Sequence, residues 1–178
     1  MKKILESVSE LLESFIISVV LFILVYAFLA FPEIVIGVSM EPTLNQGDRL
    51  LVERITPKFD KLKRGDVVIF NPPGNNNIDY VKRIVGLPNE HLIIRDCKAV
   101  LISGTGEEKS LPESYIFPEP CKSSDKDLTI NVEDKAYFVM GDNRNHSADS
   151  RFFGVVKRER IDGKVFIRFW PLNRLTVL

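Results

Sequence analysis

Three stretches of this 178-residue chain carry residue types that can do chemistry. The first is Gly37-Val38-Ser39-Met40-Glu41-Pro42-Thr43-Leu44, with one central hydroxyl. A serine is a useful nucleophile only when a neighbouring base takes its proton. The second, Asp79-Tyr80-Val81-Lys82-Arg83-Ile84-Val85-Gly86-Leu87-Pro88, reads as a strand. Alternation puts Tyr80, Lys82 and Ile84 on one face and Arg83 on the other. A lysine near its ordinary pKa of about 10.4 is protonated at pH 7 and cannot be a base. Burial would have to lower it by about two to three units, or about 3–4 kcal/mol. The third stretch, Gly141-Asp142-Asn143-Arg144-Asn145-His146-Ser147-Ala148-Asp149-Ser150-Arg151, reads by itself as a polar loop tied by an Asp–Arg pair. Taken singly, each has a plainer reading: a capping hydroxyl, a snorkelling lysine, a surface loop. His146 offers an alternative base of the histidine type. Asn145-His146-Ser147 also fits the glycosylation sequon, a pattern common by chance. No G-x-S-x-G, H-E-x-x-H or P-loop occurs.

The elements that must position these residues fall into two parts. From Ser14 to Pro32 there is no charged residue. Those 19 residues reach about 28 Å as a helix, enough to cross a hydrocarbon core of about 30 Å. The run is too long for a cleavable signal peptide, and Phe28-Leu29-Ala30 breaks the small-x-small pattern cleavage needs. A retained transmembrane helix over 15–32 is therefore expected. Lys2 and Lys3 precede it and the next basic residue is Arg49, so the N-terminus is expected in the cytoplasm and residues 33–178 outside. Ile4, Leu5, Val8, Leu11, Leu12 and Phe15 recur at helical spacing, predicting an amphipathic helix over 1–14 along the inner membrane surface.

Beyond Pro32 the helical period is lost. Ile34–Val38, Arg49–Ile55, Val67–Phe70, Tyr80–Val85, His91–Arg95, Ala136–Met140 and Lys164–Trp170 are short β-rich runs separated by turn residues. The expected fold is mostly β: an antiparallel sheet domain, sheet-packed or barrel-like, behind one N-terminal transmembrane helix. Residues 103–127, rich in Gly and Pro, read as a long loop within an insertion over about 96–135.

Lys+Arg and Asp+Glu each number 24, leaving no net charge and no basic footprint for nucleic acid. Cys97, Cys121, His91 and His146 have no close metal-ligand spacing, so neither a metal nor a cofactor is expected. The two cysteines can form a disulfide in an extracytoplasmic domain or remain free thiols.

Taken together and in order, five pieces resemble the bacterial type I signal peptidases: Ser39–Leu44, Gly47-Asp48 before Arg49–Val52, Arg64–Phe70, Tyr80–Pro88 and Gly141–Arg151. The resemblance runs from the anchor to about Trp170; only residues 96–135 lack a counterpart. It implies a membrane-bound serine endopeptidase that removes signal peptides from secretory preproteins, with Ser39 as nucleophile and Lys82 as general base. It also implies that Ser147 hydrogen-bonds and orients the lysine amine. Phe70, Tyr80, Met140 and Ala148 match apolar walls around that amine. Asp149 and Arg151 match a scaffold ion pair, with Asp142 and Arg144 also holding the loop. Val35, Ile36, Met40, Leu44, Leu50, Ile69, Tyr80 and Val81 match the shallow pockets that admit Ala-x-Ala before the scissile bond. The Ser39 N–H is the implied oxyanion donor, whereas Gly37 stands where some members carry a second, hydroxyl donor. At Asn145-His146 the loop departs from the more usual Asp-Asn. The implied partners are secretory preproteins and the lipid bilayer. A dedicated substrate set such as pilins, an inactive β-domain and a self-cleaving repressor are the alternatives. The last would need a DNA-binding module and an internal Ala-Gly site, and neither is evident.

Overall fold

A computed structural model describes residues 2–28, 30–59, 62–74, 78–122 and 127–178, the side chains of residues 2–6, 25, 27 and 28 excepted. The first element, α1 (Lys2–Phe28), is one continuous helix. Its apolar window, Ser7–Leu24, is long enough to cross a membrane, and none of it is buried against the protein. Leucine, isoleucine, valine and phenylalanine point outward on every side, so packing within the chain does not account for this helix. The charged pair Lys2-Lys3, and Ile4 and Leu5 of the expected stripe, have side chains outside the described ones.

The helix stops short of the boundary read from the sequence. β1 (Ala30–Ile34) already takes up Ala30 to Pro32 and pairs with β2 (Arg49–Glu53), Phe31 opposite Val52. Phe31 is buried in the core below, with Arg54 4.4 Å from its ring centroid. The strand expected over 34–38 is thus displaced toward the N-terminus. Gly37, at φ +93°, adopts a left-handed backbone that ends the extended run just before Ser39.

The large sheet also contains β3 (Val67–Phe70), β4 (Tyr80–Gly86), β9 (Ala136–Met140), β10 (Val156–Lys157), β11 (Ile161–Trp170) and β12 (Thr176–Val177). Its order is β1-β2-β11-β3-β4-β9-β10, with β12 on β11. A smaller sheet has the order β7-β6-β5-β8, built from β5 (His91–Arg95), β6 (Lys98–Ile102), β7 (Glu108–Ser110) and β8 (Leu128–Asn131). Every pairing is antiparallel. The mostly β, antiparallel expectation therefore holds. The stretch read as a loop does not stay one: β7 lies inside it and β6 and β8 flank it. β7 reads Glu-Lys-Ser with all three residues exposed, so it has no apolar alternation to betray it.

The described residues also form two short α-helices, α2 (Ile55–Phe59) and α3 (Ser150–Phe153), and single 3-10 turns. Gly141 permits the closest approach that matters here. A Cβ on it would fall 2.5 Å from the Ser39 carbonyl and 2.3 Å from Ser147 Oγ.

Candidate active site

Ser39 begins a tight turn after Gly37. Glu41 N–H donates to the Val38 carbonyl at 3.1 Å and Leu44 N–H to the Met40 carbonyl at 2.9 Å. Arg168 of β11 ties the turn to the sheet through the Thr43 carbonyl, at 2.5 Å, and Asp48, at 3.3 Å. From the other side, Asn143 N–H donates to the Ser39 carbonyl at 3.0 Å. The Ser39 turn and the loop 141–151 are therefore bonded directly to each other.

Lys82 comes from the middle of β4, across from Val68 of β3. Its Nζ donates to Ser39 Oγ at 2.8 Å and to the Val81 carbonyl at 2.9 Å, and it lies 5.1 Å from the Tyr80 ring centroid. The side chain is buried. Burial lowers its pKa to about 8, while the nearby carboxylates of Asp149 and Asp142 pull in the opposite direction. About one lysine in ten is then neutral at pH 7, against about one in 3,000 at the ordinary value. A neutral amine at that 2.8 Å distance is able to accept a proton from the hydroxyl. His146 is exposed and lines the same cleft, but the bond to Ser39 comes from Lys82.

This depressed pKa has a stability consequence. The folded value, about 8, lies below the unfolded one, so the unfolded chain binds more protons between pH 8 and about 10.5 and stability rises with pH there. Below that window the buried ammonium costs about 3 kcal/mol. Lys82→Met, which fills the site without charge, should raise Tm at pH 7 by a few degrees while removing any base. Thermal unfolding in detergent at pH 7 and pH 10 checks this. A lower Tm for the variant at pH 7 would refute the burial argument.

The expected walls divide. Phe70 and Tyr80 are on the face of Lys82, with their rings edge-to-face at 6.3 Å. Ala148 lines the cleft at its exposed mouth. Met140 is on the wrong side: it pairs with Arg83 and packs with Val85 and Phe138, while Val139 faces Ile84 and Phe70. Val139, not Met140, belongs to the Lys82 face.

Ser147 Oγ is buried without a hydrogen-bond partner among the described residues, so the expected bond to the lysine amine is not made. It is turned toward Gly141 instead. The Asp149–Arg151 pair forms as expected at 2.8 Å, and Asp149 also accepts from Gly141 N–H at 3.0 Å. Asp142 and Arg144 do hold the loop, but through other partners. Arg83 grips both oxygens of Asp142 at 2.8 and 2.6 Å, and Thr43 Oγ1 donates to Asp142 at 2.5 Å. Arg144 pairs with Glu113 at 2.6 Å. Arg83, Thr43, Glu113, Asp48 and Arg168 are the supporting residues that sequence reasoning missed. The one available signal was Arg83, whose side of β4 must supply a carboxylate if it is buried.

An open cleft of about 580 Å³ runs from Ser39 and Lys82 along Val35, Ile36, Leu50, Ile69, Tyr80 and Val81. Met40 and Leu44, expected in its lining, are fully buried in the core beneath it. Both pack there with Val35, Leu50 and Ile69. The cleft also takes in Glu33, Ile34, Val38, Ile78 and Asp79, none of them anticipated. Ser39 N–H makes no backbone hydrogen bond among the described residues and stays available as a donor. Cys97 and Cys121 form a disulfide. No cluster able to hold a metal ion occurs among the described residues.

Residues 8–170 match the signal peptidase family, peptidase S26. A signal peptidase I of Leptolyngbya laminosa is 38% identical over 167 residues, covering 89% of this chain and 78% of that protein. A signal peptidase I of Bacillus licheniformis is 36% identical over 177 residues, covering 95% of this chain and 92% of the relative. Among solved structures, a signal peptidase I from Enterococcus faecalis V583 is 32% identical over 59% of this chain and 97% of its own, with a TM-score of 0.49.

Proposed function

Because the chain belongs to the signal peptidase family, peptidase S26, we propose that Ser39 and Lys82 are the nucleophile and general base with which it cleaves signal peptides from secretory preproteins. It is a signal peptidase I, a membrane-associated protease. The observation that carries the assignment is the 2.8 Å contact between a buried lysine amine and the serine hydroxyl.

In this reading the preprotein lies extended in the cleft beside Ser39. Lys82, in its neutral form, takes the hydroxyl proton as Ser39 attacks the scissile carbonyl. The Ser39 N–H receives the developing oxyanion; Gly37 has no side chain to add. The ammonium then gives its proton to the leaving amine, and water completes hydrolysis of the acyl-enzyme by the same route. Bound substrate displaces water from Lys82 and sustains the low pKa. Ser147 Oγ, buried beside Gly141 and without a hydrogen-bond partner among the described residues, is a hydroxyl that a turn of its side chain could offer to the Lys82 amine once substrate is bound. The apolar walls of Val35, Leu50, Ile69 and Val81 reject large side chains by shape and charged ones by desolvation, which supports cleavage after Ala-x-Ala.

The anchor is read as the apolar part of α1, Ser7–Leu24, with the N-terminus cytoplasmic and the β domain from Ala30 onward outside, on the strength of the exposed apolar helix and the lysines before it. Purified full-length protein in detergent should cut a preprotein carrying Ala-x-Ala and fail on one with Leu or Asp at the residue before the bond. Equal cutting of all three would refute the pocket. Protease outside intact cells should digest 33–178 and spare an N-terminal tag; the reverse pattern would overturn the orientation.

A further inference from the structure

The segment Leu111–Lys122 lies outside the residues that carry the catalytic motifs, yet its contacts converge on them. Glu113 pairs with Arg144 at 2.6 Å, both side chains only 3% exposed. It also accepts from Ala99 N–H at 2.9 Å and from the Tyr115 hydroxyl at 3.1 Å. The Tyr115 ring covers the Arg83 guanidinium at 4.2 Å. Phe117 N–H donates to the Asp142 carbonyl at 3.0 Å, and Lys122 N–H to Asn145 Oδ1 at 2.9 Å. The Cys97–Cys121 disulfide closes the arm, and Arg144 donates to the Cys97 carbonyl.

We propose that this arm is a clamp on the catalytic centre, in which Tyr115 and Glu113 are positioning residues for Lys82. The inference rests on the reading of Lys82 as the base. Its physical route is short. Arg83 follows Lys82 on β4 and neutralises Asp142, and the Tyr115 ring keeps water from that pair. Glu113 fixes Arg144, which in turn donates to the Gly141 carbonyl at 3.0 Å and accepts from Arg151, the partner of Asp149. Asp142 and Asp149 are the two carboxylates whose fields act on the amine. Tyr80 flanks it on its own strand, His146 lines the cleft beside it, and Glu33 and Asp79 complete the charged groups along the cleft. A loosened clamp admits water to Arg83–Asp142 and to the loop. The ammonium is then better solvated and feels a less compensated Asp142, and both changes favour the charged form.

The test is the pH dependence of kcat/KM for full-length protein in detergent, using an Ala-x-Ala peptide. Tyr115→Leu should move the rising limb up by about one pH unit and lower kcat/KM at pH 7 about tenfold. Tyr115→Phe keeps the ring over Arg83 and should keep the wild-type limb. Cys97→Ser/Cys121→Ser should shift the limb in the same direction, and it decides the matter should Tyr115→Leu not fold. An unmoved limb, or an equal loss at every pH, overturns the clamp. Lys82→Ala, run alongside, separates the two readings: full turnover there removes the base itself, whereas an inactive Lys82→Ala beside an unmoved Tyr115→Leu limb removes only the clamp.

Discussion

Ser39→Ala and Lys82→Ala should each lower kcat/KM by about 10⁴-fold or more, with the double variant losing little beyond either single one. The reason is mechanical. A serine without its base and a base without its serine leave the same residue of catalysis, from binding and the oxyanion donor alone. Lys82→Arg should be as inactive, because a guanidinium stays protonated at working pH and cannot accept the hydroxyl proton. His146→Ala should cost little, since the 2.8 Å bond to Ser39 is made by Lys82. Turnover of a preprotein by each variant decides the matter. Substantial cleavage by Lys82→Ala, with activity lost in His146→Ala, would replace the lysine mechanism with a histidine one.

The second large effect is on stability and concerns Arg83 and Asp142. Asp142 is fully buried, and Arg83 reaches it with two nitrogens while also donating to the Gly65 carbonyl at 2.8 Å and to Thr43 at 3.1 Å. Removing one partner leaves the other charge buried and uncompensated. Asp142→Leu should therefore destabilise by about 3–5 kcal/mol, enough to lower Tm by about 10 °C or to prevent folding. Arg83→Met/Asp142→Leu should be less destabilised than the sum of the single changes, because no orphan charge remains. Thermal unfolding of the three variants measures the coupling. A Tm for Asp142→Leu within a degree of wild type would show that the pair does not hold the loop.

Much of this was legible in the residues themselves. The uncharged run to Pro32 announces the long helix, because a continuous apolar surface is a local property of composition. Alternation in Tyr80–Val85 put Lys82 beside Tyr80 and set Arg83 apart, because a strand exposes its two faces by parity alone. The order of the short motifs marked the Ser39 turn and the polar loop as the candidate site. What the chain could not reveal locally was partnership and face. Ala136–Met140 is apolar at all five positions and buried at all five, so parity had no polar reference and Met140 was read onto the Lys82 face. The register Arg83–Met140, followed by an irregularity before Gly86, decides that side. Asp142 and Arg144 hold the loop through partners distant in sequence: Arg83 lies 59 positions from Asp142, and Glu113 lies 31 from Arg144. Likewise Met40 and Leu44 share the turn with Ser39, and only the sheet packed beneath that turn determines that they become its floor. Local sequence governs which residues can be reactive and how a strand presents them. Long-range pairing, which no local pattern encodes, governs which charges meet and how dry the lysine becomes.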